Sequence, residues 1–98
     1  MASSKEYLDY VLEQLHGVSG LRYRPMMGEY LIYCRDRLVG GVYDDRLLVK
    51  PTKSALSLLP DAPREAPYPG GKPMLLVTEM ENKSLLQELL EAIATEVK

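Results

Sequence analysis

Between Tyr30 and Lys50 three strand-forming runs follow one another across polar breaks of two or three residues. Tyr30-Leu31-Ile32-Tyr33-Cys34 leads through Arg35-Asp36-Arg37 into Leu38-Val39-Gly40-Gly41-Val42-Tyr43, and Asp44-Asp45 leads on into Arg46-Leu47-Leu48-Val49-Lys50. Breaks that short hold hairpins, so the segment is an antiparallel meander. A parallel pair would need a crossover of about a dozen residues or more, for which there is no room.

The runs do not alternate cleanly between apolar and polar. Leu31 and Tyr33 fall on one face while Ile32 and Cys34 fall on the other, and Leu47 and Val49 oppose Leu48. A sheet with one wet face alternates. Both faces are therefore expected to be at least partly covered, one by helices and the other by a second subunit or by the long loop that follows.

The flanks supply the helices. A helix is expected over Ser4 to His16, with Ser3 and Glu6 as a capping box and Tyr7, Leu8, Val11, Leu12 and Leu15 as its apolar stripe. Leu21–Arg24 leads into the meander as extended chain, because Pro25 disfavours helix at Arg24. Thr52 caps a short helix, Lys53 to Leu59, which Pro60 ends. Residues 60–73 carry five prolines and Gly70-Gly71 and read as a loop, with Ala66–Tyr68 as a brief edge strand. Met74–Thr78 is a further strand. Asn82 caps the last helix, Lys83 to Val97, whose stripe is Leu85, Leu86, Leu89, Leu90, Ile93 and Val97. The order helix, three strands, helix, one or two strands, helix makes an α+β two-layer domain, an antiparallel sheet backed by helices. Ninety-eight residues make a single domain, 1–98. Its 46% hydrophobic and 27% charged content excludes a disordered chain, a collagen-like fibre and a disulfide miniprotein.

Charge is unevenly spread. The net charge of −2 speaks against a dedicated nucleic-acid binder. Yet residues 22–53 carry a local net of +3 and residues 79–98 a local net of −3. These are two solvated faces, or a basic face meeting an acidic one within or between subunits. The N-terminus has no apolar leader, and no apolar run approaches the ~20 residues of a membrane span. The single Cys34 cannot close an intrachain disulfide, which fits a reducing cytoplasm.

Catalytic constellations are thin. His16 closes the first helix, and Cys34 sits in a strand, with nothing in the spacing to bring the two together. Asp44-Asp45 reads as turn chemistry rather than a metal site. Gly70-Gly71-Lys72-Pro73 lacks the upstream glycine and the Ser/Thr of a phosphate loop. Asn82-Lys83-Ser84 matches a glycosylation sequon but reads as a helix start. Seven tyrosines stand without a Phe or Trp. So many amphipathic rings suit a half-wet core margin or a protein interface, and Tyr interleaved with Arg would also stack bases.

Tyr23-Arg24-Pro25-Met26-Met27-Gly28, then Tyr33, then Tyr43-Asp44-Asp45-Arg46-Leu47-Leu48-Val49-Lys50 resembles the N-terminal domain of the TfoX/Sxy family, bacterial proteins related to regulators of natural competence. Arg24, Met26, Gly28, Tyr33 and Lys50 match the pattern. Met27 stands where the family usually has an aromatic, and Glu29 where it often has a second glycine. Pro67-Tyr68 and Met74 resemble the family's Pro-aromatic segment and the start of its last strand. The resemblance implies an α-β(3)-α-β(2)-α domain similar to secretion-chaperone-like folds, with no established catalytic activity. The family's competence regulators act with a cyclic-AMP receptor-type activator at promoters and carry a separate C-terminal helical domain. This sequence ends at Lys98 without one, so the N-terminal module alone carries the likeness. Within the motif, Gly28 is expected to permit a tight bend. Arg24 and Lys50 are expected to meet carboxylates or backbone carbonyls at one end of the sheet, or else an anion or a partner.

The chain is therefore expected to be a non-enzymatic regulatory or protein-interaction module, cytoplasmic and homodimeric. It needs no cofactor, and a transcription regulator is its expected partner. Two alternatives stand beside it: weak nucleic-acid binding through the basic 22–53 region, and a small-ligand site under the 60–73 loop.

Overall fold

The computed structural model describes residues 3–97. Met1-Ala2, at the start of the N-terminus read above as leaderless, and Lys98, the last charge of the acidic segment, lie outside the described residues. The elements run α1 (Lys5–Gln14), β1 (Leu21–Met26), β2 (Glu29–Cys34), β3 (Arg37–Val42), β4 (Leu47–Val49), α2 (Lys53–Leu58), β5 (Arg64–Glu65), β6 (Met74–Leu76) and α3 (Lys83–Glu96). The α+β class stands. The meander has four strands before α2 rather than three, because Leu21–Met26 pairs along its whole length with Glu29–Cys34. Pro25 is compatible with that strand because β1 is an edge of the sheet, the place where a missing N–H costs least.

The six strands lie in the order β1-β2-β3-β4-β6-β5, and every pairing is antiparallel. Three two-residue turns join the first four, the third flanked by Tyr43 and Arg46, which exchange both backbone hydrogen bonds just beyond the ends of β3 and β4. Both central residues of each have positive φ: Met27 and Gly28 at 52° and 86°, Arg35 and Asp36 at 54° and 64°, Asp44 and Asp45 at 51° and 56°. That is the type I′ pattern, whose twist matches the twist of the strands.

The register sorts the side chains into two faces. Ile32, Gly40, Val49 and Leu75 stand opposite one another across four strands, and Val42 opposes Leu47. These rows carry the helix-side face. Ile32, Val42, Leu47, Val49 and Leu75 are buried in one cluster with Leu8 and Val11 of α1, Ala55 of α2, and Leu86, Leu89, Leu90 and Ile93 of α3. Burying each such side chain contributes about 1.5–3 kcal/mol. The intervening row is Leu31, Gly41, Leu48 and Leu76. It faces away from the helices, yet Leu48 is 0% exposed. The expectation that both faces are covered holds within the chain itself, because residues 66–73 return over this outer face.

Local capping follows the expected chemistry with one correction. Thr52 accepts from the Ala55 N–H and Asn82 from the Leu85 N–H. The cap of α1 is Ser4, which accepts from the Tyr7 N–H. Ser3 is instead buried in a clasp: its N–H and Oγ both donate to Glu29 Oε1, at 2.8 and 2.7 Å. Glu29 also accepts from the Asp44 N–H, and Asp45 Oδ1 accepts from the Ser4 N–H. Two adjacent serines can each cap a helix; the carboxylate on β2 decides which one is left for it. The brief edge strand falls at Arg64–Glu65 rather than Ala66–Tyr68, since Pro67 and Pro69 withhold the N–H groups that a ladder needs.

Candidate functional site

The outer face of the sheet is where the sequence places its surplus apolar residues, and the proline loop shapes it. Tyr68-Pro69-Gly70-Gly71 is a turn closed by the Gly71 N–H to the Tyr68 carbonyl at 2.9 Å. Proline at its second position and Gly70 at φ +85° fit the type II turn. This turn holds Pro67 buried against the sheet and leaves Tyr68 57% exposed at the rim.

Beneath the loop lies a groove of about 610 Å³. Leu38, Tyr43, Tyr68 and Met74 give it apolar walls, with Lys50 and Lys72 on its border and no carboxylate among its lining residues. Gly41 makes room for Tyr43: a Cβ there would lie 2.6 Å from the tyrosine ring and 2.8 Å from the Tyr30 carbonyl oxygen. Tyr43 is 6% exposed, and burial raises its phenol above the ordinary tyrosine range.

Tyr68 also borders a second hollow of about 480 Å³, shared with Met26, Met27, Glu29 and Arg46. Met27 is 96% exposed on the β1–β2 turn and Met26 is 39% exposed beside it. A third hollow of about 350 Å³ brings Arg24 and Tyr33 together with Arg22, Tyr23 and Asp36.

The seven residues singled out from the motif thus divide among neighbouring places. Lys50, Tyr68 and Met74 line the groove, and Met26 joins Tyr68 in the adjacent hollow. Gly28 occupies a type I′ turn, where its carbonyl accepts from the Ser3 N–H. Arg24 and Tyr33 lie at the third hollow. Arg24 and Lys50 do not converge: Arg24 is on β1 and Lys50 directly follows β4, and β2 and β3 lie between these strands, a span of roughly 14 Å at the usual strand spacing. Arg24 is an exposed charge on the edge strand β1, a position where charge also discourages edge-to-edge pairing.

The basic segment is largely occupied within the chain. Arg22 pairs with Asp36, Arg35 with Glu91, and Arg46 with Glu65, while Arg37 donates to the Val97 carbonyl. Through Arg35 and Arg37 the basic hairpin tip meets the acidic last helix, so the two charged segments meet inside one molecule. Each exposed pair contributes little to stability.

Cys34 is buried, and its thiol donates to the Ser19 carbonyl at 3.2 Å. Desolvation pushes that thiol up from its ordinary pKa, the opposite of nucleophile activation. His16 is exposed just beyond α1. Among the described residues no three His, Cys, Asp or Glu side chains gather as a metal site, and no helix is long and apolar enough to cross a membrane.

Leu38 and Tyr43 as groove walls, and Met27 as an exposed side chain, emerge only from the folded arrangement. A tyrosine two residues after a strand glycine was the available signal for the first pair. Met-Gly as a two-residue hairpin was the signal for the second.

No protein-family model matches the chain. It is 30% identical over 95 residues to a protein of Spirochaeta aurantia described as an uncharacterized 12.7 kDa protein in the trpE 5′ region. The match spans 96% of this chain and 83% of that protein.

Proposed function

We propose that this chain, which belongs to the same family as the 12.7 kDa spirochaete protein, is a non-enzymatic regulatory module that works by binding another polypeptide. The observation that carries the reading is Met27. It is 96% exposed and holds φ at +52°, in a turn where Asn, Asp or Gly would fit with less strain. An apolar, adaptable side chain kept in water at a conformational cost is what an interface residue looks like. Met26 and Tyr68 extend it into one apolar tip beside the outer face. The likeness of the Arg24–Gly28 segment, Tyr33 and Lys50 to the TfoX/Sxy N-terminal domain supports a regulatory role, with a transcription regulator as the partner and self-association through the tip.

Sedimentation equilibrium of the wild type and of Met27→Asp tests the reading. Concentration-dependent dimerisation that Met27→Asp weakens at least tenfold supports it. A wild type that stays monomeric at every concentration, and that binds no transcription regulator in a defined panel, overturns it.

A further inference from the structure

We propose that the groove under the 60–73 loop is a binding site for a small amphipathic carboxylate, an aryl or short acyl group carrying one acid. Its volume of about 610 Å³ lies within the ~300–1,000 Å³ of small-molecule sites. Leu38, Tyr43, Tyr68 and Met74 offer apolar area enough for a ring or a short chain. The charges decide the other end of the ligand. Lys50 and Lys72 both border the groove, and among the described residues no Asp or Glu lines it. On a chain of net charge −2 that is a local reversal of sign.

The arrangement is selective rather than incidental. Lys50 follows the last residue of β4 directly, borders the groove and is half-buried. Among the described residues neither Lys50 nor Lys72 has an ion pair, whereas the nearby Arg46 is matched by Glu65. An ammonium beside apolar walls favours an anion whose body is apolar, because the charge-assisted hydrogen bond strengthens as water is excluded. A cation or a neutral polar molecule gains nothing there. Gly70 at φ +85° and the turn it closes set the loop's path over the groove, so the walls exist before a ligand arrives.

This site is independent of the Met27 interface, though Tyr68 borders both. Titrating 1-naphthylacetate and its uncharged amide into the whole chain, followed by amide NMR, tests it. The carboxylate is expected to bind about tenfold or more tightly than the amide. Its shifts should centre on Leu38, Lys50, Tyr68 and Met74. Lys50→Met with Lys72→Met should abolish the preference while leaving the amide's binding unchanged, and the unperturbed remainder of the spectrum reports that the variant is folded. Tyr68→Ala should weaken both probes. Met27→Asp should leave the preference intact, which separates this proposal from the interface. Equal binding of the two probes, a preference that survives loss of both lysines, or shifts centred on Arg22 and Arg24 would each overturn it. So would failure of both probes alongside tight binding of an acidic peptide, since that makes the groove a peptide site.

Discussion

At the scale of single residues, the backbone shows where this chain accepts strain and where it avoids it. Asp36, Asp44 and Asp45 are among the few residue types that enter the left-handed region readily; Met27 and Arg35 are not. Met27→Asn should therefore raise the unfolding free energy by about 0.5–1 kcal/mol in a urea titration. The same change should reduce self-association, so stability and function move in opposite directions. An unchanged or lowered stability would mean that the turn carries no strain. Tyr43 gives a pH test. Burial raises its phenol above its ordinary value of 10.0. The unfolded phenol then loses its proton first as pH rises, so the unfolded state binds fewer protons and stability falls above about pH 10. Cys34 and Tyr7 are raised by the same cause and contribute in the same direction. Tyr43→Phe should make the alkaline decline shallower, read from urea midpoints across the alkaline range.

At the scale of elements, two contacts fix parts that propensity leaves loose. The first is the clasp of Ser3 and Ser4 with Glu29 and Asp45, which ties the start of α1 to two hairpins. Glu29→Ala removes a half-buried carboxylate that accepts from Ser3 twice and from the Asp44 N–H. A loss of about 1–3 kcal/mol is expected, since hydrogen bonds to charged groups stand at the upper end of the usual range. The second is Gly41 under Tyr43. Gly41→Ala places a Cβ 2.8 Å from the Tyr30 carbonyl oxygen as well as against the ring. The ring can turn away but the carbonyl cannot, so about 1–3 kcal/mol of overpacking is expected, measured by the same titration. These contacts also explain what could be read in advance. The β2–β4 hairpins, α2, α3 and the caps at Thr52 and Asn82 were legible because their signals are local: paired runs, short turns and apolar stripes. The strand β1 was not, since Arg22-Tyr23-Arg24-Pro25 reads as polar chain until its place at a sheet edge is known. The choice of Ser4 over Ser3 was hidden for the same reason, because Glu29 lies 26 residues away from Ser3. An apolar outer face could be inferred from Leu31, Leu48 and Tyr33. That the proline loop would cover it, with Lys50 and Lys72 at the border, depends on a return of the chain that no local pattern encodes.

At the scale of the whole molecule, one sheet serves two apolar layers of unequal strength. The helix side holds Leu8, Val11, Leu86, Leu89, Leu90 and Ile93 at 0% exposure. The loop side is held by buried Pro67, Leu48 and Tyr43, and its own strand, β5, is two residues long. The layers should therefore open at different free energies, since local opening follows the density of buried apolar contact. Leu89→Ala removes side-chain volume from the helix-side core and should cost about 2–5 kcal/mol, a large share of the ~5–15 kcal/mol typical of a domain. Cys34, 0% exposed on the helix side, reports that layer: its reaction with a thiol reagent requires opening. In Leu89→Ala its labelling should quicken by roughly thirtyfold or more, the conversion of the lower bound of that cost. Amide exchange over residues 68–72 should be fast in the wild type and unchanged in the variant, because the loop opens without the core. Equal acceleration at both places would mean a single cooperative unit, in which the loop wall of the groove moves only when the sheet itself opens. Independent rates would leave the loop free to move above an intact sheet, so that a ligand in the groove would slow exchange over residues 68–72 without slowing the labelling of Cys34.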